Sequence, residues 1–341
     1  MSGKGKLAIY WAASCGGCEI AILGINEKIL DVAEHFDLVF CPCIADGKVS
    51  DVEAMADGAI DLCLFNGSIR TSEQEYMAQL MRRKAKVLVA FGSCAGEGCI
   101  PGLANLTNRE EIFASSYLDS PSTVNPDGVV PQTKSEVDGC TLHLPLFYDT
   151  VRTLAQTVQV DYFLPGCPPE PERIWDTLVA VLENKLPEPG SVIGSNTTVC
   201  DECKRVRAEK SIPAFKRTWE ILPDPETCLL EQGLVCCGVA TRAGCGALCP
   251  QVNSPCIGCY GPNDGVEDFG ARMISALASV LESNDPEEIE QALRTGIPDP
   301  LGNFYRFSLP GSLMRRSPLS NGEKEVSAKP DLAAAHPGGG V

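Results

Sequence analysis

The chain has 341 residues, 18 of them cysteine, and a formal net charge of −17. Its length accommodates two domains with at least one full hydrophobic core, and its acidity argues against nucleic acid or an anionic membrane as the main partner. No apolar run approaches a membrane span, and the opening "MSGKGKLAIYWAASC" has neither the long apolar stretch nor the twin arginine of an export signal. A cytoplasmic setting is therefore expected, in which clustered thiols stay reduced and bind metal more often than they pair. The three histidines, His35, His143 and His336, all lie outside the cysteine clusters, so a metal in this chain is held mostly by sulfur and Cys₂His₂ zinc sites are not expected.

In chain order, "KLAIYW" predicts a buried strand and "EIAILGINEKILDVAEHF" a helix. "DLVFCPCI", "IDLCLFNGSI", "AKVLVAFGSC" and "VDYFLPGC" are further short apolar runs, each closed by a polar or Gly/Pro turn. Helical patterns stand at "SEQEYMAQLMRRK" and "PEPERIWDTLVAVLEN". This alternation predicts an α/β fold, a flavodoxin-like doubly wound parallel sheet over residues 1–190. Residues 107–145 interrupt the rhythm and are read as an inserted loop. "KLPEPGSVIGSN" is a linker, after which residues 191–316 form an irregular cysteine-rich domain with helices only at "GARMISALASVLES" and "PEEIEQALRTG". Residues 317–341, rich in Ala, Pro and Gly, are read as a peripheral tail.

The positions of the cysteines carry the chemistry. Cys15 and Cys18 follow the first strand and open a helix; Cys94 ends a later strand and Cys167 the last one. In a parallel α/β sheet these points share the edge outside the carboxyl ends of the strands, where ligands bind. Four thiols from three turns then converge on one place, as a cubane cluster requires. Gly16, Gly17 and Gly92 let the backbone approach, and the helix N-terminus favours thiolate. Alone, "CGGC" would equally suit a thioredoxin-like redox pair; Cys94 and Cys167 at matching strand ends favour a cluster. In the second domain Cys200, Cys203, Cys228, Cys236, Cys245, Cys249, Cys256 and Cys259 are available, two sets of four. Their CxxC pairs suit zinc ribbons as well as iron–sulfur clusters.

The ordered motifs "SCGGCE", "FGSCAGEGCIPGLANL", "PGCPPEPERI", "VCDEC", "FKRTWE", "DPETCLLEQGLVCCGVATRAGCGALCP" and "PCIGCYG" resemble the small, iron–sulfur subunit of nickel–iron hydrogenases. The likeness spans about residues 5–315 and is nearest to the cytosolic methyl-viologen-reducing type that works with heterodisulfide reductase. It implies three 4Fe–4S clusters: a proximal one on Cys15, Cys18, Cys94 and Cys167, a distal one on Cys200, Cys203, Cys228 and Cys236, and a medial one on Cys245, Cys249, Cys256 and Cys259. Cys200 stands where membrane-bound relatives have histidine. The resemblance also implies three partners: a large subunit holding the nickel–iron site, a small 2Fe–2S subunit, and a heterodisulfide-reductase-type flavoprotein in which electrons bifurcate.

Other residues carry two readings. Glu19 is either a group that tunes the proximal cluster or passes protons, or a solvated helix-start carboxylate. Asp46 is read as a turn cap before a spare ligand. Cys41, Cys43 and Cys63 are read as small buried hydrophobes in strands, and Cys99 and Cys140 as loop residues. Cys237, beside the ligand position Cys236, is read as a packed neutral thiol. The arginines of "KRTWE" and "ATRAGC" are read either as groups that hydrogen-bond cluster sulfur or neutralise its charge, or as members of surface ion pairs. Two other functions stand beside this one: the cluster subunit of a quinone-reducing complex, which leaves the eight downstream cysteines without work, and a zinc-stapled scaffold without redox chemistry, from which a brown colour and an absorption band bleached by dithionite would separate it.

Overall fold

A computed structural model describes residues 4–208 and 211–315. Five parallel strands, β1 (Gly5–Trp11), β2 (Phe36–Phe40), β3 (Ile60–Asn66), β4 (Ala85–Phe91) and β5 (Tyr162–Leu164), lie in the order β2-β1-β3-β4-β5, the flavodoxin-like arrangement expected. Both faces of the sheet are covered, so the strands are continuous apolar runs with no alternation of polar residues. The pleat sends Ala8, Tyr10, Cys63, Phe65, Leu88 and Ala90 into one core layer with Met77, Ala78, Leu80 and Met81 of helix Ser72–Lys84. Leu7, Ile9, Leu62, Leu64, Val89 and Phe91 face the other layer, with Ala21 and Ile22 of helix Gly17–Leu23 and Ile174 and Leu178 of helix Pro171–Leu182. Each layer buries the stripe of its helices against one face of the sheet, and together they hold the carboxyl ends of the strands in a fixed row.

Local chemistry sets the element ends. Helix Ser72–Lys84 opens on a capping box between Thr71 and Gln74, carries Glu73 and Glu75 in its first turn, and closes on Arg82, Arg83 and Lys84, charges that complement the helix dipole at each end. The long helix expected after Cys15 is interrupted: Gly17–Leu23 ends at Gly24, and a short 3₁₀ turn, Asn26–Lys28, leads to a separate helix, Ile29–His35. The cause is tertiary. A Cβ on Gly24 would stand 2.8 Å from Pro171 Cγ, so the chain turns where it must pass the start of helix Pro171–Leu182.

The stretch read as a loop over 107–145 contains more order than expected. It holds helix Arg109–Phe113 and a hairpin of Lys134–Val137 with Cys140–His143, and Cys140 lies exposed in that hairpin. Immediately after it, Phe147–Arg152 pairs antiparallel with Ile69–Thr71. Of the three cysteines read as buried in strands, Cys63 lies in β3, Cys41 is buried just past β2, and Cys43 is exposed in a turn. The turn puts Cys43 outside the sheet, where no neighbouring strand covers it.

The cysteine-rich region has its own apolar cluster around Val199, Phe215, Phe269, Met273, Leu277, Phe304 and Leu309. Its longer helices, Phe269–Ser279 and Pro286–Gly296, fall where the apolar periodicity places them. The peripheral tail read over 317–341 lies outside the described residues.

Candidate metal centres

The first group of thiols forms at the strand ends. Cys15 stands exposed past β1, and the Gly17 N–H donates to its Sγ at 3.4 Å. Gly16, at φ 81, turns the chain into the helix, which places Cys18 in its first turn, buried. Gly92 follows β4 at φ 81, and a Cβ there would approach Cys18 Sγ nearer than 3.0 Å, so the bare backbone of Gly92 makes room for that sulfur. Gly92 N–H donates to Leu164 O and Ser93 N–H to Gly166 O, each at 2.8 Å, which locks the turn after β4 to the end of β5 and the turn that follows it. Cys94 and Cys167 ride on these two turns and share a buried cluster with Cys99, Phe307 and Cys259. Cys15, Cys18, Cys94 and Cys167 are thus brought to one crevice, as their positions predict.

Most of the crevice thiols are buried and crowded, which disfavours thiolate there unless a cation binds. Burial raises the Cys18 thiol well above its ordinary value, and the charges of Glu19, Cys167, Cys15 and Cys99 add to the shift. Thiols so close and so shielded do not ionise together without a compensating positive charge, which bound metal supplies. Glu19 is buried, not solvated, and Asn66 Nδ2 donates to both its oxygens at 2.7 and 2.8 Å. Burial raises its pKa and the Asn66 bond opposes the rise.

A second group surrounds a cavity in the C-terminal region. The box formed by Thr198 and Asp201 starts helix Val199–Glu202 and so orients Cys200 and Cys203. Both line one cavity with Cys228, Cys236, Arg205 and Arg207. The Cys200 thiol is pushed up to about 12 by burial and by Cys236, Cys228 and Cys203, with Arg207 pulling against them. Arg205 holds the walls together: its guanidinium donates to Pro250 O at 2.9 Å, Asp224 O at 2.7 Å and Thr227 O at 2.9 Å. The arginines singled out in the sequence make other contacts, in Arg242's case the ion pair of the alternative reading. Arg217 stacks over the Trp219 ring and Arg242 pairs with Asp264, whereas "CKRVR" supplies the two that face the thiols.

In the third group, Cys259 is pushed up to about 12 by burial, by Cys245 and Cys249, and more weakly by Cys167. Cys256 is turned differently. Its thiol meets Thr241 Oγ1 at 3.5 Å, its N–H donates to Cys236 Sγ at 3.3 Å, and the neighbouring charges are those of Cys236 and Cys237. The second and third groups therefore abut at Cys256, and the third touches the first through Ser93, whose hydroxyl donates to Cys259 O at 2.6 Å and accepts from Gly166 N–H. Nothing in the sequence singles out Ser93 except its place before Cys94. Cys237 is buried in the apolar cluster and held up to about 12 by burial.

The donor set fits iron–sulfur clusters. Donor sets made of cysteine alone suit a cubane, in which each thiolate would take its own iron. A flavodoxin-like sheet with thiols at its strand ends, continued by a cysteine-lined irregular region, defines an iron–sulfur redox subunit.

Comparison with known proteins gives the family. Residues 15–181 match the family model described as NADH ubiquinone oxidoreductase, 20 Kd subunit. The chain is 43% identical over 317 residues to the iron-sulfur subunit of the F420-non-reducing hydrogenase of Archaeoglobus profundus, covering 91% of this chain and 98% of the relative. It is 36% identical to the corresponding F420-non-reducing hydrogenase subunit of Methanothermobacter thermautotrophicus, over 92% and 97% of the two chains. To the corresponding vhu hydrogenase subunit of Methanocaldococcus jannaschii it is 37% identical, over 91% and 97%. The chain belongs to this family of F420-non-reducing hydrogenase iron–sulfur subunits, the kind of small subunit that its motifs resemble.

Proposed function

We propose that this chain relays electrons through three 4Fe–4S clusters, bound at the twelve cysteines named above for the proximal, distal and medial sites. Electrons released by hydrogen oxidation on the nickel–iron site of a partner large subunit enter at the proximal cluster. They leave through the distal one toward a small 2Fe–2S subunit and a heterodisulfide-reductase-type flavoprotein, in the cytoplasm. Residues 1–190 form the proximal-cluster domain and 191–316 the domain of the other two.

The observation that carries this reading is the continuous chain of thiol groups. The strand-end crevice, the Cys245–Cys249–Cys259 group and the Cys200–Cys236 cavity neighbour one another through Ser93 and Cys256. Partner docking is supported by Trp11, Ile20 and Ile44, large apolar side chains exposed at the carboxyl edge of the sheet. Among the described residues no helix is long and apolar enough to cross a membrane.

Metal analysis tests the relay. At four irons per cluster, about 12 irons per chain are expected with zinc near zero; about four irons with two zinc ions would sink it. Hydrogen-dependent viologen reduction is expected only with the large subunit bound, across an interface of more than about 2,000 Å².

A further inference from the structure

Cys99 is the one thiol of the strand-end crevice to which the relay assigns no work. It has no exposed surface, and its Sγ donates to Cys167 Sγ at 3.6 Å. Cys94 is its other hydrogen-bonding neighbour. Its backbone lies at φ 43, ψ −146, a conformation that L side chains avoid and glycine adopts freely. The Cys99 N–H is tied to Phe307 O at 3.2 Å, which holds the strained residue in place. A buried cysteine is ordinarily a small hydrophobe, and Cys63 shows what that looks like: fully buried, in regular strand, with no thiol among its electrostatic neighbours. Glycine at position 99 would relieve the backbone and would remove only the sulfur.

We propose that Cys99 is a positioning residue of the proximal site, a fifth thiol whose S–H donates to the ligand sulfur of Cys167 and raises the reduction potential of the cluster there. The proposal rests on the reading of Cys15, Cys18, Cys94 and Cys167 as the proximal ligands. An electron added to an iron–sulfur cluster spreads over its sulfurs, and a hydrogen bond to a ligand sulfur stabilises that charge. Removing the donor lowers the potential without removing iron.

The test is a redox titration of the purified hydrogenase complex, following the proximal EPR signal, with iron counted in every sample. Cys99→Ala and Cys99→Gly are expected to keep the wild-type iron content. At the wild-type midpoint their reduced-to-oxidised ratio should fall on the order of tenfold, about 59 mV for a one-electron couple. Cys99→Ser, which keeps a donor, should recover most of the shift, and Cys63→Ala should show none. Because Cys99→Gly relieves the backbone, it serves if Cys99→Ala does not assemble. An unmoved potential in the Ala or Gly variant overturns the proposal, as does a Ser variant shifted as far as Ala. Loss of about four irons on removing Cys99 also overturns it, since Cys99 would then be a ligand. A wild-type complex without a proximal cluster overturns the four-ligand reading and this proposal together; failure of the donor role alone leaves the wild-type signal present and unchanged by substitution.

Discussion

Substituting Gly92 by alanine tests whether the strand-end crevice is built around the Cys18 sulfur. Gly92 sits at φ 81, ψ 164, a region essentially reserved for glycine, and forcing a side chain into it costs about 1–3 kcal/mol. The new Cβ would also come nearer than 3.0 Å to Cys18 Sγ and 3.4 Å from Gly166 O. The backbone cannot yield cheaply, because Gly92 N–H is bonded to the end of β5 and Ser93 N–H to the turn after it. Cys18 has to move, and on the proposed assignment the proximal cluster loses a ligand. The expected result is a stability loss of about 1–3 kcal/mol from the backbone alone, with about four irons missing per chain. Gly128 (φ 63) and Gly139 (φ 77) are controls: a Cβ on either meets nothing within 4 Å, so alanine there costs about 1–2 kcal/mol of left-handed strain and no iron. Iron analysis and thermal melts of the three variants in the complex decide the matter. Gly92→Ala with full iron content, or controls that lose iron as well, would refute the reasoning.

Cys237→Ala should keep all iron and cost roughly 1 kcal/mol, since Cys237 is a packed apolar-cluster residue, whereas Cys236→Ser should lose or convert the distal cluster; iron counts and reduced-state EPR distinguish them, and the opposite pattern would shift the ligand register by one. Burial raises Glu97 from 4.5 to about 7, with Arg242 opposing. Its contribution to stability is therefore full below pH 4.5 and is lost as pH rises through 7. Glu97→Gln should gain on wild type by up to about 3 kcal/mol between about pH 4 and pH 8, less what residual solvent contact screens; a pH-independent difference in melting temperature would contradict this. Stripping iron with a chelator should raise hydrogen exchange across residues 200–260 far more than in β1–β5, and uniform protection after stripping would count against metal as the source of order there.

The sheet was legible because its strands are buried on both faces and so appear as unbroken apolar runs ended by Gly or Pro. "IDLCLFN" and "AKVLVAF" match β3 and β4 residue for residue. The crevice was legible for a topological reason: a parallel sheet puts every strand's carboxyl end on the same edge, so Cys15, Cys94 and Cys167 had one place to meet. What escaped was set by residues distant in sequence. The helix break at Gly24 depends on Pro171, and the strand Phe147–Arg152 exists because Ile69–Thr71 offers it an edge. Cys99 could not be placed because its meaning lies in a contact with Cys167, 68 residues away. The arginines were hidden for the same reason: "KRTWE" and "CKRVR" look alike, and only folding brings Arg205 and Arg207 to the thiols.

The raised thiol pKa values bear on how order arises in the cysteine-rich half. Cys200 and Cys259 are pushed to about 12, and in each case burial is the largest cause, with neighbouring thiols next. Near neutral pH the metal-free thiols keep their protons, and each one that binds iron must release its own. Metal binding thus competes with protons, and its free energy grows with pH. The same burial that makes a lone thiolate unfavourable strengthens its attraction to a bound cation, because both effects come from a low local dielectric. Between Cys200 and Tyr260 the described backbone forms only four-residue helices and 3₁₀ turns, so few of its groups are held by regular ladders. A segment of this kind gains its fixed geometry when thiols from positions far apart in the chain are drawn onto a common centre, and in the proposed relay that geometry would set the spacing between clusters.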